Sequence, residues 1–168
     1  MRMPFGDSFI ILDTSFLSCI EAVGEKKVKL VVGGFSQGCA TALYITKCLI
    51  VGKYSSGKPF PDLKVNAIIG LGGWMPTIKT LEDEVKAVPN VEQRAQEIPI
   101  FFGHCEDDNV MPVRQSHSAA SAFRDVGVKD ITVQLYPEGG HVCIPEEAED
   151  LCAWMVTKLG LDHVHIPE

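Results

Sequence analysis

The stretch that most constrains this chain is Val28-Lys29-Leu30-Val31-Val32-Gly33-Gly34-Phe35-Ser36-Gln37-Gly38, an apolar run ending in Gly-x-Ser-x-Gly. Val28 to Val32 reads as a buried strand, and a helix should start at Ser36 or just after it. Ala40, Ala42, Leu43 and Ile45 begin the apolar face of that helix, and Leu49 and Ile50 continue it. A strand that turns this abruptly into a helix needs glycines, because a Cβ in the strained backbone would clash. Such a turn lifts Ser36 above the sheet and aims the N–H of Gln37 at a developing oxyanion. The plainer reading is a glycine-rich turn whose serine merely caps the helix. The two differ in whether the rest of the chain supplies a base and an acid.

Downstream, short apolar runs alternate with longer amphipathic segments, the βαβ signature of a mostly parallel sheet with helices on both faces. Further strands are predicted at Val65 to Leu71, Ile98 to Phe102 and Ile131 to Tyr136, and helices at Val113 to Asp125 and Glu146 to Lys158. Tyr54 to Pro61 reads as a loop from its Gly, Pro and Ser content. Thr77 to Glu97, charged and broken by Pro89, reads as a mobile excursion with short helical pieces. Before Lys27, Phe16, Leu17, Ile20 and Val23 have helical spacing, while Phe9 to Leu12 suits a short edge strand or the start of that helix. In open parallel sheets ligands bind beyond the carboxyl ends of the strands. Ser36, the acidic cluster Glu106-Asp107-Asp108 and His141 all fall at such ends.

Of five histidines, His163 and His165 lie in a polar tail, and His117 sits in a predicted helix with a surface role. His104 ends the third strand and reads as structural, orienting the turn. His141 follows Tyr136-Pro137-Glu138-Gly139-Gly140, a loop whose glycines let the ring swing toward Ser36, so it is the best base. The orienting carboxylate should come after the third strand, and Glu106, Asp107 and Asp108 all qualify by position. The order serine, acid, histidine is that of the α/β-hydrolases.

Composition narrows the alternatives. A length of 168 residues suits one domain with a substantial core. The net charge of −7 argues against nucleic acid or an anionic membrane as the main partner. No apolar run approaches the ~20 residues a membrane helix needs, so no stable membrane insertion is expected. Asp7 and Asp13 interrupt the apolar N-terminal run that a signal peptide would require, and a cytoplasmic location is expected. Six cysteines without a CxxC pair make neither a zinc framework nor a disulfide scaffold. His104, Cys105 and Glu106 with His141 and Cys143 have no metal-ligand spacing, so no metal or cofactor is expected.

With these residues assembled, the chain resembles the acyl-protein thioesterase/lysophospholipase-carboxylesterase family. Gly33-Gly34-Phe35-Ser36-Gln37-Gly38 is similar to its nucleophile motif, and Leu71-Gly72-Gly73-Trp74-Met75-Pro76 to its Ser-Gly-Trp-Leu-Pro segment. His104 to Pro112 resembles the His-Gly-x-x-Asp-x-x-Val-Pro stretch, which puts Asp108 on the family's catalytic aspartate. Tyr136 to His141 resembles the loop with the catalytic histidine, and the Gly52 to Pro61 insertion and Ile144-Pro145-Glu146-Glu147 look plant-type. The likeness runs from about Gly24 to Leu159. It implies an α/β-hydrolase fold and hydrolysis of acyl thioesters or carboxylic esters, such as S-acylated proteins or lysophospholipids. Ser36, Asp108 and His141 would be catalytic, Gln37 would serve the oxyanion hole, and Trp74 would help line the acyl site.

Two departures stand out. Cys39 replaces a second glycine after the elbow. No His-Gly-x-Gly segment, the source of a second oxyanion N–H, occurs before Val28, so the usual first strands are expected to be absent or replaced by the atypical residues 1–26. The expectation is a single domain, monomeric or weakly dimeric, acting on an S-acylated protein or small acyl ester. The alternative is an impaired acyl-binding protein or a truncated fragment. A dienelactone-hydrolase-like enzyme fits less well, since that class would place cysteine at position 36.

Overall fold

The computed structural model of the chain describes residues 29–89 and 91–161. The readings of Phe9 to Leu12, Phe16 to Val23, the replacement of the first strands by residues 1–26, and His163 and His165 lie outside the described residues. Four strands, β1 (Val31–Phe35), β2 (Ala67–Leu71), β3 (Ile100–Cys105) and β4 (Ile131–Tyr136), pair in sequence order, all parallel. Five helices accompany them: α1 (Gln37–Val51), α2 (Ile78–Lys86), α3 (Val91–Gln96), α4 (Arg114–Asp125) and α5 (Pro145–Leu159).

Strand order explains the layering. Because the strands progress in one direction, crossovers of constant hand all land on the same face. Leu43 of α1, Leu81 of α2, Val91 and Ala95 of α3 and Phe123 of α4 therefore share one core with Ile68, Ile100 and Phe102. Among the described residues α5, after the last strand, is the helix that folds back over the other face, where Leu151, Trp154 and Met155 meet Ile69, Leu71 and Phe101. The Trp154 indole N–H donates to Thr132 Oγ1 at 3.0 Å, and its ring lies 5.4 Å from that of Phe101. With both faces covered, every residue of β2 and β3 is buried, which is why those strands read as unbroken apolar runs rather than alternating ones.

Two boundaries differ from the sequence reading for one physical reason. β1 runs on through Gly33 and Gly34, which read as its end, and β3 runs past Phe102 through Gly103 to Cys105. In β1, Gly33 pairs with Ile69 and Gly34 with Gly70, and a Cβ on Gly33 would come within 2.7 Å of Ile69 Cβ. These glycines permit close approach between neighbours and do not end the strand. The Thr77 to Glu97 stretch holds the short helical pieces expected of it, α2 and α3, but is packed on the core rather than a loose excursion, with Leu81, Val91 and Ala95 buried. Pro89 falls between the helices, where it breaks neither. The fully buried Lys47 of α1 donates to Ser55 Oγ and Glu84 Oε2, both at 2.8 Å, and so ties α1 to α2.

Candidate active site

The elbow between β1 and α1 is as tight as the sequence requires. Ser36 has φ 54, and no other described non-glycine residue has positive φ. That left-handed backbone is costly for a residue with a Cβ, and such strain persists only where surroundings impose it. Its N–H is tied to Leu71 O at 2.9 Å, which fixes the turn to the end of β2. A Cβ on Gly34 would lie 2.6 Å from Gly38 Cα, so the two motif glycines let the strand and helix backbones meet. Gly34→Ala should therefore lower stability by about 1–3 kcal/mol, read as a reduced urea midpoint, because backbone must move to accept the methyl. Cys39, the departure from the family pattern, fits here for a related reason. Its thiol fills the space before Gly70 and Gly73, where Cβ atoms would come within 2.9 and 2.6 Å of its sulfur.

The loops after β3 and β4 converge on Ser36. His141 Nε2 lies 2.9 Å from Ser36 Oγ, and His141 Nδ1 lies 2.7 Å from Asp108 Oδ2. With the Nδ1–H donating to the carboxylate, Nε2 is left to accept the serine proton. Asp108 is buried, and its other oxygen, Oδ1, accepts the N–H groups of Val110 at 2.9 Å and Met111 at 2.8 Å. Burial alone would raise its pKa. The Met111 N–H, the His141 ring and the Val110 N–H outweigh that and hold it below the ordinary carboxylate value. Of the three acids that position alone left open, geometry brings Asp108, the one the resemblance pointed to, to the imidazole. Glu106 is exposed.

Asp107 does something different. Its carboxylate accepts the N–H groups of Gly140 at 2.7 Å and Gly139 at 3.3 Å, so it holds the loop that presents His141. Phe35, the first variable residue of the Gly-x-Ser-x-Gly motif, packs its ring 4.7 Å from the His141 ring. Neither contact was read from the sequence. The acidic cluster marked Asp107 only as a candidate partner, and nothing marked Phe35.

His104 is structural, as read. It is buried; its Nε2–H donates to Met111 O at 2.7 Å, and its Nδ1 accepts from the Ser116 hydroxyl at 2.6 Å. His117 is exposed on α4. Gln37 opens α1, so its N–H is among the first-turn donors that find no partner within the helix. Trp74, half-buried, follows the end of β2. The thiols nearby are poor nucleophiles. Burial pushes Cys39 to about 12 and, with the Glu147 carboxyl, Cys143 to about 11. Among the described residues no group of three or more His, Cys, Asp or Glu side chains could hold a metal ion.

This geometry has relatives. The Phospholipase/Carboxylesterase family model matches residues 20–158. The chain belongs to that family. It is 30% identical over 131 residues to acyl-protein thioesterase 1 of Gibberella zeae, covering 78% of this chain and 48% of that protein. It is 28% identical to acyl-protein thioesterase 1 of Saccharomyces cerevisiae, over 82% of this chain and 53% of the yeast protein. The crystal structure of Zea mays acyl-protein thioesterase 2 superposes with a TM-score of 0.78 at 34% identity, covering 87% of this chain and 63% of the maize chain. The fold is thus that of the α/β-hydrolases, and the chain spans about half the length of the two fungal relatives. Among the described residues no helix is long and apolar enough to cross a membrane.

Proposed function

We propose that this chain is a serine hydrolase of acyl thioesters or carboxylic esters, with Ser36 as nucleophile, His141 as general base and Asp108 as its orienting carboxylate. The observation that carries the reading is the continuous contact Ser36 Oγ–His141 Nε2 at 2.9 Å and His141 Nδ1–Asp108 Oδ2 at 2.7 Å, on a serine held at φ 54. Ser36 Oγ attacks the acyl carbonyl while its proton passes to His141 Nε2. The oxyanion of the tetrahedral intermediate faces the Gln37 N–H. The imidazolium, stabilised by Asp108, then protonates the departing thiolate or alkoxide and leaves an acyl-serine. Water attacks the acyl-serine with His141 again as base, which frees the carboxylic acid and restores the hydroxyl.

The fungal and maize relatives named acyl-protein thioesterases favour S-acylated proteins as substrates, and the family description favours phospholipids and carboxylic esters as well. Trp74, beside the elbow, lines the acyl site in this reading. The chemistry calls for no metal or cofactor, and the reading keeps a cytoplasmic monomer or weak dimer. The Gln37 N–H is the oxyanion donor assigned in this reading, and loss of one such donor costs about 10²–10³ in rate.

Turnover of short and long p-nitrophenyl esters by purified protein tests the reading. Wild type should hydrolyse them, and Ser36→Ala should lower kcat by on the order of 10⁶. Equal turnover by both proteins, or acyl-ester binding with no turnover by folded wild type, would overturn it.

A further inference from the structure

The loop that carries His141 is held on both sides of the ring. Upstream, Asp107 accepts the Gly139 and Gly140 N–H groups. Downstream, the loop runs through Cys143 and Ile144 into α5, and a second carboxylate waits there. Glu147, in the first turn of α5, is only 1% exposed. Its Oε1 is buried without a hydrogen-bond partner and rests on the bare Cα of Gly103, where any added Cβ would run into the carboxyl. Ile144, which ends the histidine loop, is the N-cap of this helix, so the carboxyl sits in the turn that the loop opens. Burying an acceptor without a partner is unfavourable.

We infer that Glu147 is a positioning residue for His141, its carboxyl wedged between Gly103 of β3 and the Cys143–Ile144 end of the histidine loop. Gly103 lies on the strand that leads into the Asp108 turn, so one side chain ties the loop of the base to the strand of the acid. Asp107 fixes the other end of the same loop. Together the two anchors set how far the ring stands from Ser36 and from Asp108. The inference rests on the catalytic reading of Ser36, His141 and Asp108.

The test compares wild type, Glu147→Ala and Glu147→Gln by NMR of the ¹⁵N-labelled His141 ring and by steady-state ester hydrolysis. Glu147→Ala should shift the His141 ring resonances and lower kcat by about tenfold to a hundredfold with KM little changed, because small misplacements of a catalytic group cost that much. Glu147→Gln, with the same shape, should restore both. Glu147→Asp keeps the charge but shortens the reach; it carries the same expectation as alanine and replaces it should that variant not fold. Unchanged His141 resonances in Glu147→Ala would overturn the inference. So would a loss of urea stability, equal in Ala and Gln, with kcat and the ring unaffected. If wild type hydrolyses no ester, the proposed function fails, while the His141 resonances still decide the role of Glu147.

Discussion

His141→Ala should lower kcat for ester hydrolysis by on the order of 10⁶ while leaving KM within a few fold. The Ser36 hydroxyl has its proton acceptor at 2.9 Å, and no other described side chain hydrogen-bonds to it. A neutral serine is a weak nucleophile, and without the imidazole neither attack nor protonation of the leaving group is assisted. In the proposed mechanism His141 moves protons rather than holding the acyl chain, so ground-state binding should survive. The ring is partly exposed and touches Phe35, so its removal should leave the fold intact, as an unchanged urea midpoint would show. Steady-state kinetics on a p-nitrophenyl ester reads the rate effect directly.

Asp108→Asn carries the second-largest effect, a fall in kcat of about 10⁴. The amide oxygen can replace Oδ1 in accepting the Val110 and Met111 N–H groups, so the turn keeps its shape. The NH₂ then replaces Oδ2, 2.7 Å from His141 Nδ1. Two donors cannot face each other, so Nδ1 gives up its proton and Nε2 takes it, which turns a donor toward Ser36. The base is lost by tautomer, with little movement of atoms. The carboxyl of Asp108 also links to stability. Its folded pKa lies below the ordinary value, so its contribution is complete above that value and is lost as pH falls through the folded one. The urea midpoint of wild type should therefore fall more steeply than that of Asp108→Asn across that acid window.

Much of this was legible because local chemistry and chain order agree. The apolar run before Gly33, the helical face after Ser36, and the order serine, acid, histidine each carry a signal on their own. Where sequence reasoning stopped short, long-range contacts decided. Asp107 and Asp108 are adjacent and chemically alike, yet Asp107 holds backbone and Asp108 faces the imidazole. Position in the chain could not separate them; the resemblance of His104 to Pro112 pointed to Asp108, and the fold of the turn gives the physical reason. Gly33 reads as a strand end and the predicted third strand stops short of Gly103, whereas partners distant in sequence, Ile69 and Glu147, dictate glycine at both positions. Glu147 was illegible for a similar reason. An acid in a first helical turn reads as a solvated partner of the helix dipole, which is true of Glu146 and not of its neighbour. The Thr77 to Glu97 charges masked the apolar spacing of Ile78, Leu81 and Val85, which packs α2 onto the core.

The account stands or falls on Ser36 as an activated nucleophile. Treatment of the folded protein with a fluorophosphonate probe, followed by intact-mass and peptide analysis, tests that without assuming any substrate. The prediction is one covalent adduct on Ser36 in wild type and none in Ser36→Ala. An unlabelled folded wild type, or equal labelling of both proteins, would contradict it.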